Sequence, residues 1–459
     1  MGSGTVATYD RTPGAVNDGS YTVLANGVSI AVDHAFDVAY ARFAMSGPVG
    51  ITVTASQTVS SWGISPRSYG IAGSAAGPAL LFTMTNPGNL IVTVNGLEKL
   101  FILADPLESG APSPSGPGVV NLRSYVSDNT GSTLQTAQFQ NAINAAASQG
   151  AVLYVPDGAY LTGSLLMRPN SRMYLQSGAR IQGSGNPGDY SGGALIRTST
   201  SGNVRIFGRG IIDANGSTLR PAGAQHNILK LGTGTGVELD DVLLRDAASW
   251  TVHIAGTTHA VVRNVKVVNN LGLGAGIDGI DTDSATDVSI SGAFVYTFDD
   301  CVPIKTTSTA NHAADRITIQ GTTCWTNKSA LKIGTESYNA ISNVTFSGDN
   351  VVHADRALAI YMGNGGNLSN VAYSGDFSET VGGDAKQRLV DFEVTAGVAS
   401  GVTVTDYVAY SPSPKSSLVL GTASAPLSVS VTRMSVAGRH CASLADANMT
   451  VTYANVTFS

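Results

Sequence analysis

Short runs of alternating β-formers return along this chain: VRIFG at Val204, VELDD at Val237, VVRNV at Val261, VSISG at Val288, ITIQG at Ile317, VTFSG at Val344, VAYSG at Val371, VTVTD at Val402, VSVTR at Val429 and VTYAN at Val451. From Val237 the steps are 24, 27, 29, 27, 27, 31, 27 and 22 residues. A drifting repeat of that length belongs to solenoids. Gly, Asn and Asp turns separate the strands, and no helical pattern intervenes, which selects a parallel β-helix over leucine-rich and helical solenoids. About ten coils fit between 151 and 459 at this period. Each strand then pairs in parallel with the next coil. Backbone groups are satisfied internally, and the interior fills with stacked Val, Ile and Leu.

What precedes the repeat reads differently. Residues 1–108 alternate in short strands (YTVLANGVSIAV, VGITVTAS, NLIVTVNG, KLFILADP) broken by Gly, Pro and Asn, the pattern of a β-sandwich. The Pro/Ser/Gly-rich stretch SGAPSPSGPG opens a linker over 109–120. Residues 121–459 are then the β-helix. One amphipathic helix is expected near its start, with Ser132 as N-cap and Gln135 closing a capping box. Leu134, Phe139, Ala142, Ile143 and Ala146 form its apolar face, and Gly150 its stop. Such a helix would cover the open end of the solenoid. The expected fold is all-β: a right-handed parallel β-helix preceded by a small β-sandwich.

Composition narrows the partners. Only 13% of residues are charged, 53 are Gly, and the net charge is −6. No Lys/Arg run is present, which argues against nucleic acid. No apolar run reaches the ~18 residues of a membrane span. The start, MGSGTVATYD, has no basic and apolar leader. The overall profile still fits a secreted protein, so the expectation is a secreted chain without its leader. Three cysteines are too few for a disulfide framework.

The chemistry concentrates in GIDGIDTDSATDVSISGAFVYTFDDCVPIK, residues 276–305. Asp278 and Asp299 lie 21 positions apart, close to one coil. Neighbouring strands are about 4.8 Å apart, so Asp278, Asp299 and Asp300 can share one patch, where like charges drive pKa values apart. An Asp in a Gly-rich turn is ordinarily structural, and an Asp pair at a strand end ordinarily solvated. The coil period is what favours function. Successive strand residues point to opposite faces, so the chain must turn or bulge at Asp299–Asp300, as Gly276, Gly279 and Pro303 permit. Two carboxylates across a glycosidic bond suit inverting hydrolysis. That chemistry needs no metal and no cofactor, and His34, His226, His259, His312 and His440 show no metal-ligand spacing.

Four stretches together resemble glycoside hydrolase family 28, the polygalacturonase family. They are GAVLYVPDGAYLTGSLLMRPNSRMYLQSGARIQGS, VLLRDAASWTVHIAGTTHAVVRNVKV, IDGID and FDDCVPIK, and they fall in order over roughly 121–390. The resemblance implies Asp299 as general acid, with Asp278 and Asp300 holding and activating the water. It also implies a disulfide between Cys301 and Cys324, for which two stacked free thiols are the plain alternative. Departures matter equally. Ser329 stands near the place of the histidine in the family's Gly-His-Gly motif. Ala359 and Tyr361 stand at those of the Arg-Ile-Lys motif, whose cations hold the uronate carboxylate. Either Lys305, Lys332 or Arg356 supplies that charge, or the sugar is neutral. The related dextranase family, glycoside hydrolase family 49, shares the three-Asp arrangement, carries a sandwich ahead of its β-helix and acts on neutral α-glucan. The expectation is therefore an inverting hydrolase of a polysaccharide or oligosaccharide, an α-glucan ahead of plain polygalacturonate.

Further candidates for sugar contact are His253, Lys305, Lys332, Glu336, Arg356 and Tyr361. Trp250 and His253, one coil before Asp278, would face oppositely on a regular strand. Core packing or a solvated face is the ordinary alternative for each. A β-helix polysaccharide lyase and a non-catalytic carbohydrate-binding solenoid are the competing functions.

Overall fold

The structure, a computed structural model, describes residues 3–198, 201–307 and 312–459. Among these residues the solenoid is built of three sheets of 13, 12 and 11 strands, each strand paired with its counterpart one coil on. The pairing is parallel apart from a closing hairpin at Ser435–Val436 and Arg439–His440. Short strands feeding parallel neighbours through tight turns give the right-handed parallel β-helix. The first sheet starts at Val119–Asn121, inside the stretch expected as linker, and ends at Ala454–Phe458.

That first sheet carries the repeat. Val204, Val237, Ala260, Val288, Ile317, Val344, Val371, Val402, Val429 and Val456 stand in register. Two expected members are displaced. Ala260 takes the place of Val261, because Ala260 and Val262 point inward, and a one-residue slip reverses every side chain. Val451 lies in Met449–Thr452 of the third sheet, so Val456 closes the ladder. Immediately before eight successive ladder positions the backbone turns left-handed, at Asn203, Gly236, His259, Asp287, Arg316, Asn343, Asn370 and Gly401, with φ between 51° and 73°. The stacked side chains outside this kink bond along the axis, as Asn370 does to Asn343 at 3.1 Å.

The helix spans Thr136–Ser148 and lays Phe139, Ala142, Ile143 and Ala146 on the first coil. It starts later than the expected Ser132 cap. Gln135 precedes it without capping, because its side chain accepts from the Ser127 and Asp128 amides instead. Asp128 takes the Ser132 and Thr133 amides, and Leu134 is left exposed. Gly150, at φ 62°, ends the element as expected.

Residues 5–106 form sheets of seven and five strands around their own core. The outer face of the larger sheet docks on the second solenoid sheet. Tyr40, Phe101 and Leu103 pack with Leu243, Val268, Phe294 and Tyr296, and Phe101 meets Phe294 and Tyr296 edge-on at 5.0 Å. Buried Asp105 bonds Lys266 and lies 3.2 Å from Arg209. A dry apolar contact holding buried ion pairs fixes the sandwich in place.

Candidate active site

The third solenoid sheet presents the site. Its successive strands Val252–Ala255, Ile280–Asp283, Val302–Thr306, Ser329–Ser337, Arg356–Met362 and Arg388–Val394 form adjacent rungs. Asp278 sits in the turn just before Ile280. Asp299 and Asp300 sit in the corresponding turn between Phe294–Thr297 and Val302–Thr306. The irregular backbone required of the Asp pair is this turn. Backbone bonds clamp the two turns together: the Gly279 amide donates to Asp300 O at 2.8 Å, and the Asp299 amide to Ile277 O at 3.1 Å. Gly279 is needed for that approach, since a Cβ there would collide with the Cys301 carbonyl. Gly276, at φ 80°, aims its amide at Asp299 Oδ2, 2.6 Å away, and the Asp300 amide reaches Asp299 Oδ1 at 3.0 Å.

The three carboxyls are electrostatically unlike. Asp278 and Asp300 are buried, whereas Asp299 is half-buried with one edge open. Burial, reinforced by neighbouring Asp281, pushes Asp278 well above the usual carboxylate range. Asp281 is raised for the same first reason, burial. Lys305 Nζ stands 2.9 Å from both Asp278 Oδ2 and Asp281 Oδ1, directed at Asp278. Its ammonium is held well above its ordinary value, since attraction by these carboxylates outweighs burial. One cation between two buried carboxyls leaves the pair short of counter-charge, which favours the protonated form of one of them. Asp300 goes the other way. Burial alone would raise it, but Lys332 at 2.5 Å, with Lys305 and Arg356 beyond, holds it below the usual range. The Ser329 amide adds a bond to Asp300 Oδ1 at 3.1 Å.

The remaining candidates surround this centre. Lys305 is buried, and its Nζ also lies 3.8 Å over the Trp250 ring, a cation–π contact. Trp250 and His253 do not face oppositely: their rings meet edge-on at 4.8 Å, because the strand begins only at Val252 and Trp250 lies in the preceding turn. His253 Nε2 is 3.1 Å from Asp283 Oδ2, and Asp283 also accepts from the Thr307 amide and hydroxyl. Glu336 is at the rim, 3.8 Å from Lys305. Arg356 reaches Ser329 and Asp355, at 2.9 and 3.3 Å. Tyr361 donates its hydroxyl to buried Asp391, with Lys332, Arg356 and Lys386 within 5.9 Å of its ring centroid.

Sequence reasoning passed over Asp281, Asp283 and Asp391, although Asp281 stands in the same Asp-Gly-Ile-Asp run as Asp278. Cys301 and Cys324 are free thiols side by side in the dry core, not a disulfide, and burial raises Cys324 well above its ordinary range. His34, expected to lack ligand-like neighbours, gathers with Asp18 and Glu98 in the sandwich, potential ligand atoms within 4.8 Å. There Asp18 Oδ1 accepts the Ser20 and Tyr21 amides, and Glu98 the Ser20 hydroxyl, so the group ties a turn.

With the geometry in hand, comparison with known proteins is informative. A probable polygalacturonase from Vitis vinifera is 24% identical over 289 residues, covering 55% of this chain and 59% of that protein. The chain thus spans about three fifths of that relative's length. Dex49A from Penicillium minioluteum has the same fold across 99% of this chain and 96% of its own, with TM-score 0.67 and 14% identity. A hyperthermoactive exopolygalacturonase from Thermotoga maritima shares the fold over 70% of this chain and 87% of its own, with TM-score 0.62 and 18% identity. The model of glycosyl hydrolases family 28 matches residues 151–409, more than half of the chain and all of the carboxylate site, and the chain belongs to that family.

Proposed function

We propose that the chain is a secreted inverting glycoside hydrolase acting on an α-linked polysaccharide. Asp299 is the general acid, since its open edge can reach a leaving oxygen while backbone amides fix its orientation. Asp300, kept ionised by Lys332, is the base that takes a proton from water. Asp278, its pKa raised by burial, orients that water. The observation that carries this reading is the contrast between Asp300 and Asp278: two buried carboxyls, one drawn below the usual range by Lys332 2.5 Å away and the other pushed above it by burial, suit the divided roles that inversion requires. A lyase would instead need an unengaged Arg or Lys as base beside the carboxylates, and the amines of Lys305 and Lys332 are engaged.

On the C-terminal side of the centre the sugar is neutral in this reading. Ala359 and Tyr361 take the places of the family's carboxylate-binding cations, and the neighbouring cations already hold carboxylates. The printed name of the Vitis vinifera relative favours a second reading, polygalacturonate as substrate. A reducing-sugar assay over dextran, other α-glucans, polygalacturonate, rhamnogalacturonan and arabinan decides between them. Hydrolysis of one polymer is expected, with the product's anomeric form inverted and kcat reduced at least ~100-fold in Asp299→Asn. Unsaturated products, or an Asp299→Asn protein as active as the parent, would sink the proposal.

A further inference from the structure

Beyond His253 the cleft continues toward the N-terminal coils as a cavity of about 470 Å³, a size suited to a small ligand or part of a chain. Arg197, Lys230 and His253 stand in direct register on three successive rungs of its wall, and Asp281 follows on the next. Lys230 is therefore two rungs, about 10 Å, from Asp281. Arg197 and Lys230 are both half-buried. Among the described residues neither side chain has a carboxylate partner or a hydrogen bond, and Arg197 Nε is buried with no acceptor. Gly192 leaves the room the guanidinium occupies, because a Cβ there would collide with it. Asp283, the carboxylate on this wall, is already engaged by His253 and Thr307.

Two half-buried cations one rung apart, with no carboxylate partner among the described residues, repel each other and lose hydration unless an anion lies between them. We propose that Arg197 and Lys230 form an anion subsite for the glycan, seating a sugar carboxylate or a sulfate ester two rungs N-terminal of the reacting carboxyls. The guanidinium offers a planar fork of donors to such a group, and the ammonium a point charge. The substrate is then of mixed character, neutral on one side of the centre and anionic on the other. This inference rests on the cleft being a glycan groove.

Binding without turnover tests it. Asp299→Asn protein is titrated calorimetrically with an oligogalacturonate, the same oligomer after carboxyl reduction, and a sulfated neutral oligosaccharide. Tight binding of a charged probe is expected, weakening as salt rises and falling about tenfold on adding Arg197→Gln or Lys230→Gln, with Arg197→Lys retaining part of it. The reduced oligomer should bind weakly and indifferently to these changes. Whichever charged probe binds more tightly names the natural anion. Matching melting temperatures guard against misfolding. Equal affinity for the charged and reduced oligomers, or charged-probe affinity unmoved by both substitutions, overturns the subsite. Hydrolysis is measured separately, so a failed hydrolase reading leaves this result standing, and the reverse.

Discussion

Both halves of the cleft carry cations, and they use them oppositely. On the C-terminal side each cation has its carboxylate: Lys332 with Asp300, Lys328 with Asp384, Arg356 with Asp355, Lys386 with Glu393, and Arg388 with Asp391. Tyr361 stands among them. On the N-terminal side, among the described residues, Arg197 and Lys230 have none. A count of cations alone would call both halves basic. What a ligand meets differs, because recruiting a paired, buried cation first breaks its pair, at about 3–5 kcal/mol. A recess whose charges are settled internally selects by shape and hydroxyl bonding, whereas one with an open charge selects an anion. Between the halves, Lys305 serves two carboxyls at once.

Breaking the centre gives the largest effect. Lys305→Met strands Asp278 and Asp281 together without a cation, and a loss of about 3–5 kcal/mol in denaturant-measured stability is expected. An unchanged midpoint would mean that the pair is already fully protonated. Lys332→Met comes next. On the proposed mechanism Asp300 must be ionised to act as base, and Lys332 holds its pKa low, so activity is expected to persist into acid. Without the ammonium, burial dominates and the proton is retained to higher pH. The acidic limb of kcat/KM against pH should move upward by ~1–2 units. An unmoved limb would assign it to another group. Smallest, and the most direct attempt to make the halves alike, is Asp391→Asn. It removes the carboxylate 2.5 Å from Arg388 Nη1, leaving only Glu393 at 3.8 Å, and should improve oligouronate affinity a few-fold (~0.5–1 kcal/mol). No gain would show that open charge alone does not make a subsite.

The repeat, the sandwich and the three Asp positions were all legible because each is written in local pattern. Val, Ile and Gly recur at the coil period whatever the loops do. The misses have physical causes. Arg197 and Lys230 belong to the third sheet, whose cleft-facing residues do not repeat, and the coil from Val204 to Val237 is 33 residues long, against 27 for several later ones. Asp281 was passed over beside the more conspicuous Asp278, although its charge adds to the burial that raises that group's pKa. The helix began late because Gln135 found better partners in the chain behind it than at a cap. Trp250 and His253 share a face because alternation holds only once a strand has begun.

The left-handed residue ahead of eight successive ladder positions has a consequence for how such a chain can change. Successive ladder steps run from 23 to 33 residues, yet the stack stays in register through every one. Each kink re-indexes the coil. A loop that gains or loses residues disturbs its own rung and is forgotten by the next. The cleft rim can therefore be rewritten, rung by rung, without moving the scaffold that aligns Asp278 with Asp299 and Asp300.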